Sequence, residues 1–320
     1  MDNKMGRLIL VPQYPTKLRY QEWWFELFPG SYKPYFDEVI TLGSNFVPED
    51  DSSRLENGGF SPVDLAIEFE SLQILEYSHL SLKEDDILLL CDLSFPGLFA
   101  NVLFHKKPKK CFAICHATSK NNYDYFSGVR GIKYPIEKSI SKLFDGVFVA
   151  TQYHKEKLGW DNIHVVKFPH VNPPHYSMMP LCDVVCVSRP GVQKRTKSIE
   201  KFLKKNGIHI EFPQPTAWDS YFNYLSFSKV LLITSKEETY GYQVLDALCQ
   251  NCVPVAPRAY SYPELLPKEL LYDSKEECLS IINSILNGEL RIDTFELYKN
   301  LSKEFKEFFA KTSSIMKQYE

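Results

Sequence analysis

The stretch Val230–Leu266 decides the fold; it reads VLLITSKEETYGYQVLDALCQNCVPVAPRAYSYPELL. Its first four residues, Val230–Ile233, are apolar and predict a buried parallel strand. A turn with two glutamates and Gly241 leads into a helical pattern, and a second short strand, Val253–Ala256, follows. Strand, turn, helix and strand form a βαβ unit of Rossmann type. In such units an anion is favoured at the helix N-terminus, where free N–H groups and the helix dipole attract negative charge.

The rest of the chain alternates apolar runs with helical patterns. In the first half, buried strands are predicted at 8–11, 38–43, 86–92, 110–116, 146–150 and 164–167. The proline-rich segment Phe168–Tyr176 predicts an interdomain linker, and Cys182–Ser188 begins a second set of strands. The sequence therefore predicts an α/β protein with two Rossmann-like domains, each with a parallel sheet.

The composition is that of a globular protein with two domains of ordinary size: 320 residues, a formal net charge of −3 and 44% hydrophobic residues. No apolar run is long enough to span a bilayer, and the apolar stretch near the N-terminus is too short for a signal peptide. Most of the eight cysteines lie in or beside apolar runs, which favours reduced, buried thiols. We therefore expect a cytoplasmic protein without a stable membrane anchor, located in the host cytoplasm if a phage encodes it.

Charge is unevenly distributed along the first half of the chain. Residues 45–100 contain 2 Lys and Arg against 12 Asp and Glu, a net charge of −10. Residues 101–167 contain 12 against 5, a net charge of +7, and include the run His105–Lys110. This basic block is either a solvated surface or a cationic rim that would meet a polyanion.

The turn and helix of the opening stretch carry an ordered motif. Residues 238–247 read ETYGYQVLDA, and Pro254-Val255 follows. This string resembles the motif E-x-F-G-x-x-x-x-E-A, followed by a small residue and P-V, of retaining GT-B glycosyltransferases, especially family 4. Tyr240 stands where the family has Phe, and Asp246 where it has the second Glu.

The resemblance implies a GT-B fold, in which two Rossmann-like domains face each other across a cleft. The domain limits that follow are 1–168 for an acceptor domain, 169–176 for the linker and 177–298 for a nucleotide-sugar domain. A C-terminal helix at 299–320 would pack back on the first domain, as is common in GT-B folds.

In the resembled family the donor lies mainly on the second domain. An Arg and a Lys with the separation of Arg189 and Lys194 bind the donor diphosphate. By the same resemblance, Glu238 would contact hydroxyls of the donor sugar, and Asp246 would contact the nucleotide ribose. The other predicted donor-binding residues are the turn glycine and the backbone N–H groups after it: Gly241, Tyr242 and Gln243.

The resemblance also assigns roles in the first domain. His116 ends a predicted strand, where the family often has a His that faces the donor sugar. The family pattern implies retention of the anomeric configuration without a metal ion or other cofactor, the leaving phosphate itself acting as base. If a carboxylate acts instead, Asp92 and Asp124 are the candidates.

Candidate acceptor contacts lie in two segments of the first domain. The segment after the first strand, where the family often has a glycine-rich loop, supplies Lys17, Arg19 and Tyr20. Residues 121–134, NNYDYFSGVRGIKY, predict a long polar and aromatic loop, with a helix only from Ile136. The acceptor candidates in that loop are Tyr123, Asp124 and Arg130.

The sequence thus predicts a retaining glycosyltransferase that moves a hexosyl or pentosyl group from a nucleotide-diphosphate sugar, UDP favoured, to a hydroxyl acceptor. A hydroxymethylated base of DNA is one candidate acceptor, because compact GT-B enzymes that modify such phage DNA are known. The basic block and the tyrosines would suit nucleic acid. The alternatives are a glycan or other cell-surface acceptor, and a non-catalytic module that binds nucleotide sugars or nucleic acid. The oligomeric state stays open.

Overall fold

The structure is a computed structural model that describes residues 4–45, 63–171, 173, 180–187, 194 and 196–319. The chain divides into two compact units. The first comprises Met1–Phe168 together with Glu307–Glu320, and the second comprises Pro169–Lys306.

The first unit is built on a parallel sheet. Its strands are β1 (Met5–Val11), β2 (Phe36–Thr41), β3 (Ile87–Leu90), β4 (Lys110–Ile114), β5 (Gly146–Val149) and β6 (Ile163–Val165). In the described part of the chain these strands pair in the order β2-β1-β3-β4-β5-β6, and every pair is parallel. All residues of β3, β4 and β5 are buried. Burial on both faces explains why these strands are continuous apolar runs rather than alternating patterns.

Five helices of the first unit lie between its strands in sequence. They are α1 (Tyr20–Tyr32), α2 (Val63–His79), α3 (Phe99–Val102), α4 (Arg130–Ser141) and α5 (Gln152–Leu158), as far as the described residues extend. The last of them begins at a side-chain cap, because the Thr151 hydroxyl accepts a hydrogen bond from the His154 N–H. It ends at Gly159, which has a left-handed backbone.

The second unit also contains a parallel sheet. Its strands are β7 (Cys182–Val185), β8 (Ile210–Glu211), β9 (Ser228–Leu232), β10 (Val253–Pro257) and β11 (Leu271–Tyr272). Among the residues that the structure describes, they pair in the order β11-β10-β9-β7-β8. The helices are α6 (Lys197–Lys205), α7 (Trp218–Ser226), α8 (Tyr242–Cys249), α9 (Lys275–Leu286) and α10 (Thr294–Lys306). The βαβ unit predicted from the opening stretch is therefore formed by β9, α8 and β10.

The last helix, α11 (Phe308–Lys317), belongs to the first unit and packs on α1. Phe308 is fully buried, with its ring centroid 6.2 Å from that of Trp24. The Tyr32 hydroxyl lies 3.0 Å from Thr312 Oγ1, and both residues are buried. The chain thus returns to the first unit after it has completed the second.

The predicted loop at 121–134 is wrong in its second half, because α4 begins at Arg130 rather than at Ile136. Pro135 lies inside this helix, where it removes one backbone hydrogen bond. The buried face that carries Glu137 and Ile140 explains the difference. Tertiary packing of a helix face outweighs a local breaker.

Two expectations from composition can be compared with the structure. All eight cysteines are free thiols, and six of them are buried. Within the described ranges, no helix has the length and apolar character needed to cross a membrane.

Candidate functional site

The turn before α8 is shaped by Gly241. This residue has φ +99°, a left-handed backbone that glycine adopts without steric cost. A Cβ at this position would lie 3.1 Å from Leu265 Cδ1 and 3.4 Å from Tyr262 Cε1. The chain therefore turns into the helix at a place where a side chain would be crowded. As at the start of any helix, the first N–H groups of α8 have no partners in the helix itself.

A lysine and a glutamate form an ion pair beside this turn. Lys194 Nζ donates to Glu238 Oε2 at 2.7 Å, and the side chains are 25% and 20% exposed. The backbone N–H of Thr239 donates to the other carboxylate oxygen at 3.1 Å. Burial alone would raise the pKa of Glu238, but the charge and hydrogen bond of Lys194 hold it below its ordinary value. The carboxylate is therefore ionised at neutral pH and partly open to a ligand.

Two of the other predicted donor-binding residues are at the start of α8. Tyr242 and Gln243 are its first two residues and are half-buried. The Tyr242 hydroxyl donates to the Pro169 carbonyl at 3.2 Å, so this side chain is held by the segment that opens the second unit. Arg189 lies outside the described residues.

Asp246 lies on the buried side of α8 and is 4% exposed. His170 Nε2 lies 2.9 Å from one of its carboxylate oxygens, and the Tyr221 hydroxyl donates to the other at 2.8 Å. The Tyr298 hydroxyl lies 2.9 Å from the second ring nitrogen of His170. Both oxygens of Asp246 are thus engaged inside the second unit. The predicted ribose contact remains a prediction.

His116 follows β4 in the first unit and lies among aromatic rings. Its ring stacks on Tyr20 at 4.6 Å between centroids and lies 4.8 Å from Trp24 and 5.0 Å from Phe168. Nε2 donates to the Cys91 carbonyl at 3.1 Å. Burial lowers the pKa of His116 to about 3, so the ring is neutral at physiological pH. The structure therefore brings together His116 and Tyr20, which were predicted for different roles.

Asp92 follows β3, the strand next to β4, and is 8% exposed. Gln13 Nε2 donates to one carboxylate oxygen at 2.6 Å, and the backbone N–H of Ser94 donates to the other at 2.9 Å. Burial raises the pKa of Asp92 well above its ordinary value, and the charge of Asp124 adds to this rise. A carboxyl group in this state is a stronger base than an exposed one when it is ionised.

Solved structures with a similar fold identify the fold class of the chain. The lipopolysaccharide outer core galactosyltransferase WaaB, in its apo form, has a TM-score of 0.63 and 14% identity, with 98% of this chain and 99% of that chain covered. The Anabaena protein HepE in complex with UDP-glucose also has a TM-score of 0.63, with 12% identity and 98% of both chains covered. The chain has the GT-B fold.

A third solved structure matches only part of the chain. The pneumococcal O-GlcNAc transferase GtfA, in complex with UDP and GlcNAc, has a TM-score of 0.56 and 13% identity. The match covers 78% of this chain and spans 60% of the length of GtfA. No family model matches the sequence. At these identities the likeness shows the GT-B fold alone.

The predicted acceptor residues occupy two places in the first unit of this GT-B fold. Lys17 is exposed, Arg19 immediately precedes α1, and Tyr20 is the first residue of that helix. Tyr123 is 38% exposed. Asp124 is half-buried, and burial raises its pKa.

Arg130 is held at the start of α4. It donates to the Ser119 carbonyl and to Asn122 Oδ1, both at 2.9 Å. Arg130 therefore links the segment after β4 to the helix. The sequence predicted it only as an acceptor contact, not in this structural role.

Sequence reasoning missed two buried carboxylates of the first unit. Glu137 on α4 is 1% exposed and accepts hydrogen bonds from the hydroxyls of Ser94 and Ser119, which joins the segments after β3 and β4. Glu70 on α2 is 6% exposed and accepts a bond from the Phe99 N–H at 2.5 Å. The partners lie 18 to 43 residues away in sequence, so no local pattern marks either glutamate.

Proposed function

We propose that this protein is a metal-independent, retaining glycosyltransferase that uses a UDP-sugar and acts in the cytoplasm. The observation that carries the proposal is the ion pair of Lys194 and Glu238 beside the N-terminus of α8. It places a cation and an ionised carboxylate beside the first N–H groups of a helix. These are the groups needed for a diphosphate and for the hydroxyls of a sugar next to it.

The proposed donor chemistry follows from charge. The leaving UDP develops negative charge, which Lys194 and the N–H groups of Tyr242 and Gln243 would stabilise; Arg189 is the second cation that the sequence motif suggests. Glu238 would accept hydrogen bonds from the sugar hydroxyls. Fixed cations can take the place of a metal ion at a diphosphate, so no metal is required. UDP is favoured because HepE and GtfA are solved in complex with UDP-glucose and with UDP and GlcNAc.

In the first unit we assign the acceptor side to the residues near the ends of β3 and β4. His116 is neutral and would act as a hydrogen-bonding or packing partner of the sugar rather than as a cation. Asp92 is the carboxyl group best suited to take a proton from the acceptor hydroxyl if the leaving phosphate does not, because burial makes it the stronger base. Asp124 is the second such candidate.

A glycan is the first candidate acceptor, since the similar protein WaaB is a lipopolysaccharide galactosyltransferase. A hydroxymethylated base in DNA is the second candidate. It is favoured by the net charge of +7 over residues 101–167 and by the exposed rings of Tyr123 and Tyr125, which are 38% and 48% exposed. Lysines would meet phosphates, and the rings would stack on an extruded base.

The test is nucleotide release from a panel of UDP- and GDP-sugars, measured alone, with simple glycans and with hydroxymethylated DNA. The buffer contains EDTA in a parallel series. Glu238→Gln should reduce turnover by at least about a hundredfold, since it removes a charge at the reacting sugar. Glu269→Gln is the matched control because Glu269 is exposed in the same unit, and it should behave as wild type.

Each outcome decides one part of the proposal. DNA-dependent release that weakens steeply with salt would establish DNA as acceptor, and glycan-dependent release would establish a glycan. Loss of activity in EDTA would overturn metal independence. Inversion at the anomeric carbon of the product, followed by NMR, would overturn retention. Absence of release with every donor, while UDP still shifts the melting temperature, would instead support a non-catalytic binding module.

A further inference from the structure

A small cavity lies in the first unit at the point where its strand order reverses. It is lined by residues from the ends of β1 and β3, from α2 and from the segment after β3. The polar and aromatic ones include Gln13, Tyr14, Phe69, Glu70, Asp92 and Phe95. Strands β1 and β3 are neighbours in the sheet. The strand that follows β1 in sequence, β2, lies on one side of this pair, and the strand that follows β3, β4, lies on the other side. Open parallel sheets bind ligands at the carboxyl ends of strands at this switch point.

Two oxygen atoms beside the cavity lack partners. Glu70 is 6% exposed; its Oε1 accepts from the Phe99 N–H, whereas its Oε2 is buried with no hydrogen-bond partner among the described residues. Gln13 uses its Nε2 to donate to Asp92, and its buried Oε1 likewise has no partner in the described part of the chain. Buried acceptors without a donor are costly, so a group that brings an O–H or N–H into this cavity would be bound favourably.

Charge and size restrict that ligand. Burial raises the pKa of both Glu70 and Asp92, which shows an environment that disfavours further negative charge. A phosphate would therefore be rejected. The cavity volume is about 20 Å3, which admits a hydroxyl group but not a whole sugar ring or base. The rings of Phe69 and Phe95 offer an apolar wall to a carbon atom.

We propose that this cavity is an acceptor subsite that takes the hydroxyl of a hydroxymethyl arm. The hydroxyl would donate to Glu70 or Gln13, and the methylene would lie against the rings. The inference rests on the proposed function, because the arm would belong to the acceptor of the transferase. Two acceptor classes carry this group: hexoses and 5-hydroxymethylated pyrimidines. Neither residue was suggested by the sequence motif.

The experiment is saturation-transfer NMR with two probe pairs that differ only in the arm. The first pair is methyl α-D-glucopyranoside and methyl α-D-xylopyranoside, and the second is 5-hydroxymethylcytidine and cytidine. The test variant is Glu70→Gln. Its Oε1 can still accept a hydrogen bond from the Phe99 N–H, whereas an NH2 group, which donates, replaces Oε2. Glu68→Gln is the control, because Glu68 is exposed on the same helix.

We expect wild type and Glu68→Gln to bind at least one probe that carries the arm more tightly than its armless partner, and Glu70→Gln to lose about tenfold in that affinity. The pair that responds identifies the acceptor class. If Glu70→Gln does not fold, Gln13→Leu removes the second acceptor without touching the Glu70–Phe99 bond. Equal binding of armed and armless probes, no binding of either, or unchanged affinity in the folded variant would overturn the subsite.

A second readout separates this inference from the proposed function. The shift of melting temperature on addition of UDP reports only the donor site. If the probes fail while UDP still stabilises the protein, the subsite is wrong and the transferase proposal stands. If UDP produces no shift, the transferase proposal fails, whatever the probes show.

Discussion

At the scale of single residues, two carboxyl groups proposed for function have opposite electrostatic states. Glu238 is buried enough to favour the neutral form, but Lys194 at 2.7 Å lowers its pKa. Asp92 is more deeply buried, and the hydrogen bonds that it accepts from Gln13 and Ser94 come from neutral groups. Burial therefore raises its pKa. The same functional group is thus favoured as the anion in one unit and as the neutral acid in the other.

The first prediction concerns the stability contributed by the Lys194–Glu238 pair. Because the folded pKa of Glu238 is depressed, the contribution is fully present above the unfolded pKa of about 4.3 and is lost as the pH falls through the lower folded value. Glu238→Gln should therefore unfold about 1 to 2 kcal/mol more easily at pH 7, and this deficit should be smaller at pH 3. Urea unfolding at both pH values measures this.

Lys194→Met is the partner control for that prediction. It removes the cation and should raise the pKa of Glu238, so its own deficit in stability should also shrink as the pH falls. A deficit of either variant that stays constant between pH 7 and pH 3 would mean that the pair does not stabilise the fold electrostatically.

At the scale of elements, the start of α8 depends on the backbone of Gly241. Gly241→Ala would force alanine into a left-handed conformation, at a cost of roughly 1 to 2 kcal/mol, and would also crowd Leu265. Gly207→Ala is the matched control, since Gly207 has φ +85° and open space around it. We expect Gly241→Ala to lower the melting temperature more than the control and, alone of the two, to weaken UDP binding. Equal effects of the two on both measurements would contradict this.

The contact of α11 with α1 can be tested by a double-mutant cycle. Thr312 Oγ1 donates to the Phe308 carbonyl, so the buried Tyr32 hydroxyl donates to Thr312. Thr312→Val leaves that hydroxyl without an acceptor and should cost about 1 to 3 kcal/mol. The double variant with Tyr32→Phe should cost less than the two single changes added together, as measured by urea unfolding. Strict additivity would show that the two side chains do not interact.

At the scale of the whole molecule, the chain forms two units, and the proposed donor site lies within the second. A ligand that binds only the folded state stabilises it by RT ln(1 + [L]/Kd), about 2.7 kcal/mol at a hundredfold excess over Kd. Hydrogen exchange with UDP present should therefore slow at residues 238–243 and in α8, with little change in β1 to β6. Protection centred on the first unit would move the donor site there.

Much of the fold was predictable because its signals are local. Strand and helix periods are set by neighbouring residues. The βαβ unit of 230–266 and the apolar strands that end just before Asp92 and His116 could therefore be located from the sequence. Where a local breaker opposed packing, as at Pro135, the prediction of a loop up to residue 134 was wrong. Arg130 accordingly begins a helix.

The sequence by itself determined the α/β alternation, the two parallel sheets and the presence of a glutamate, Glu238, in the turn before Gly241. Only the tertiary structure decided the partners. Asp246 meets His170 across 76 residues, and Glu70 reaches Phe99 across 29. The reason is physical: a buried polar group must find a partner, but which one it finds depends on how strands and helices far apart in sequence are placed side by side.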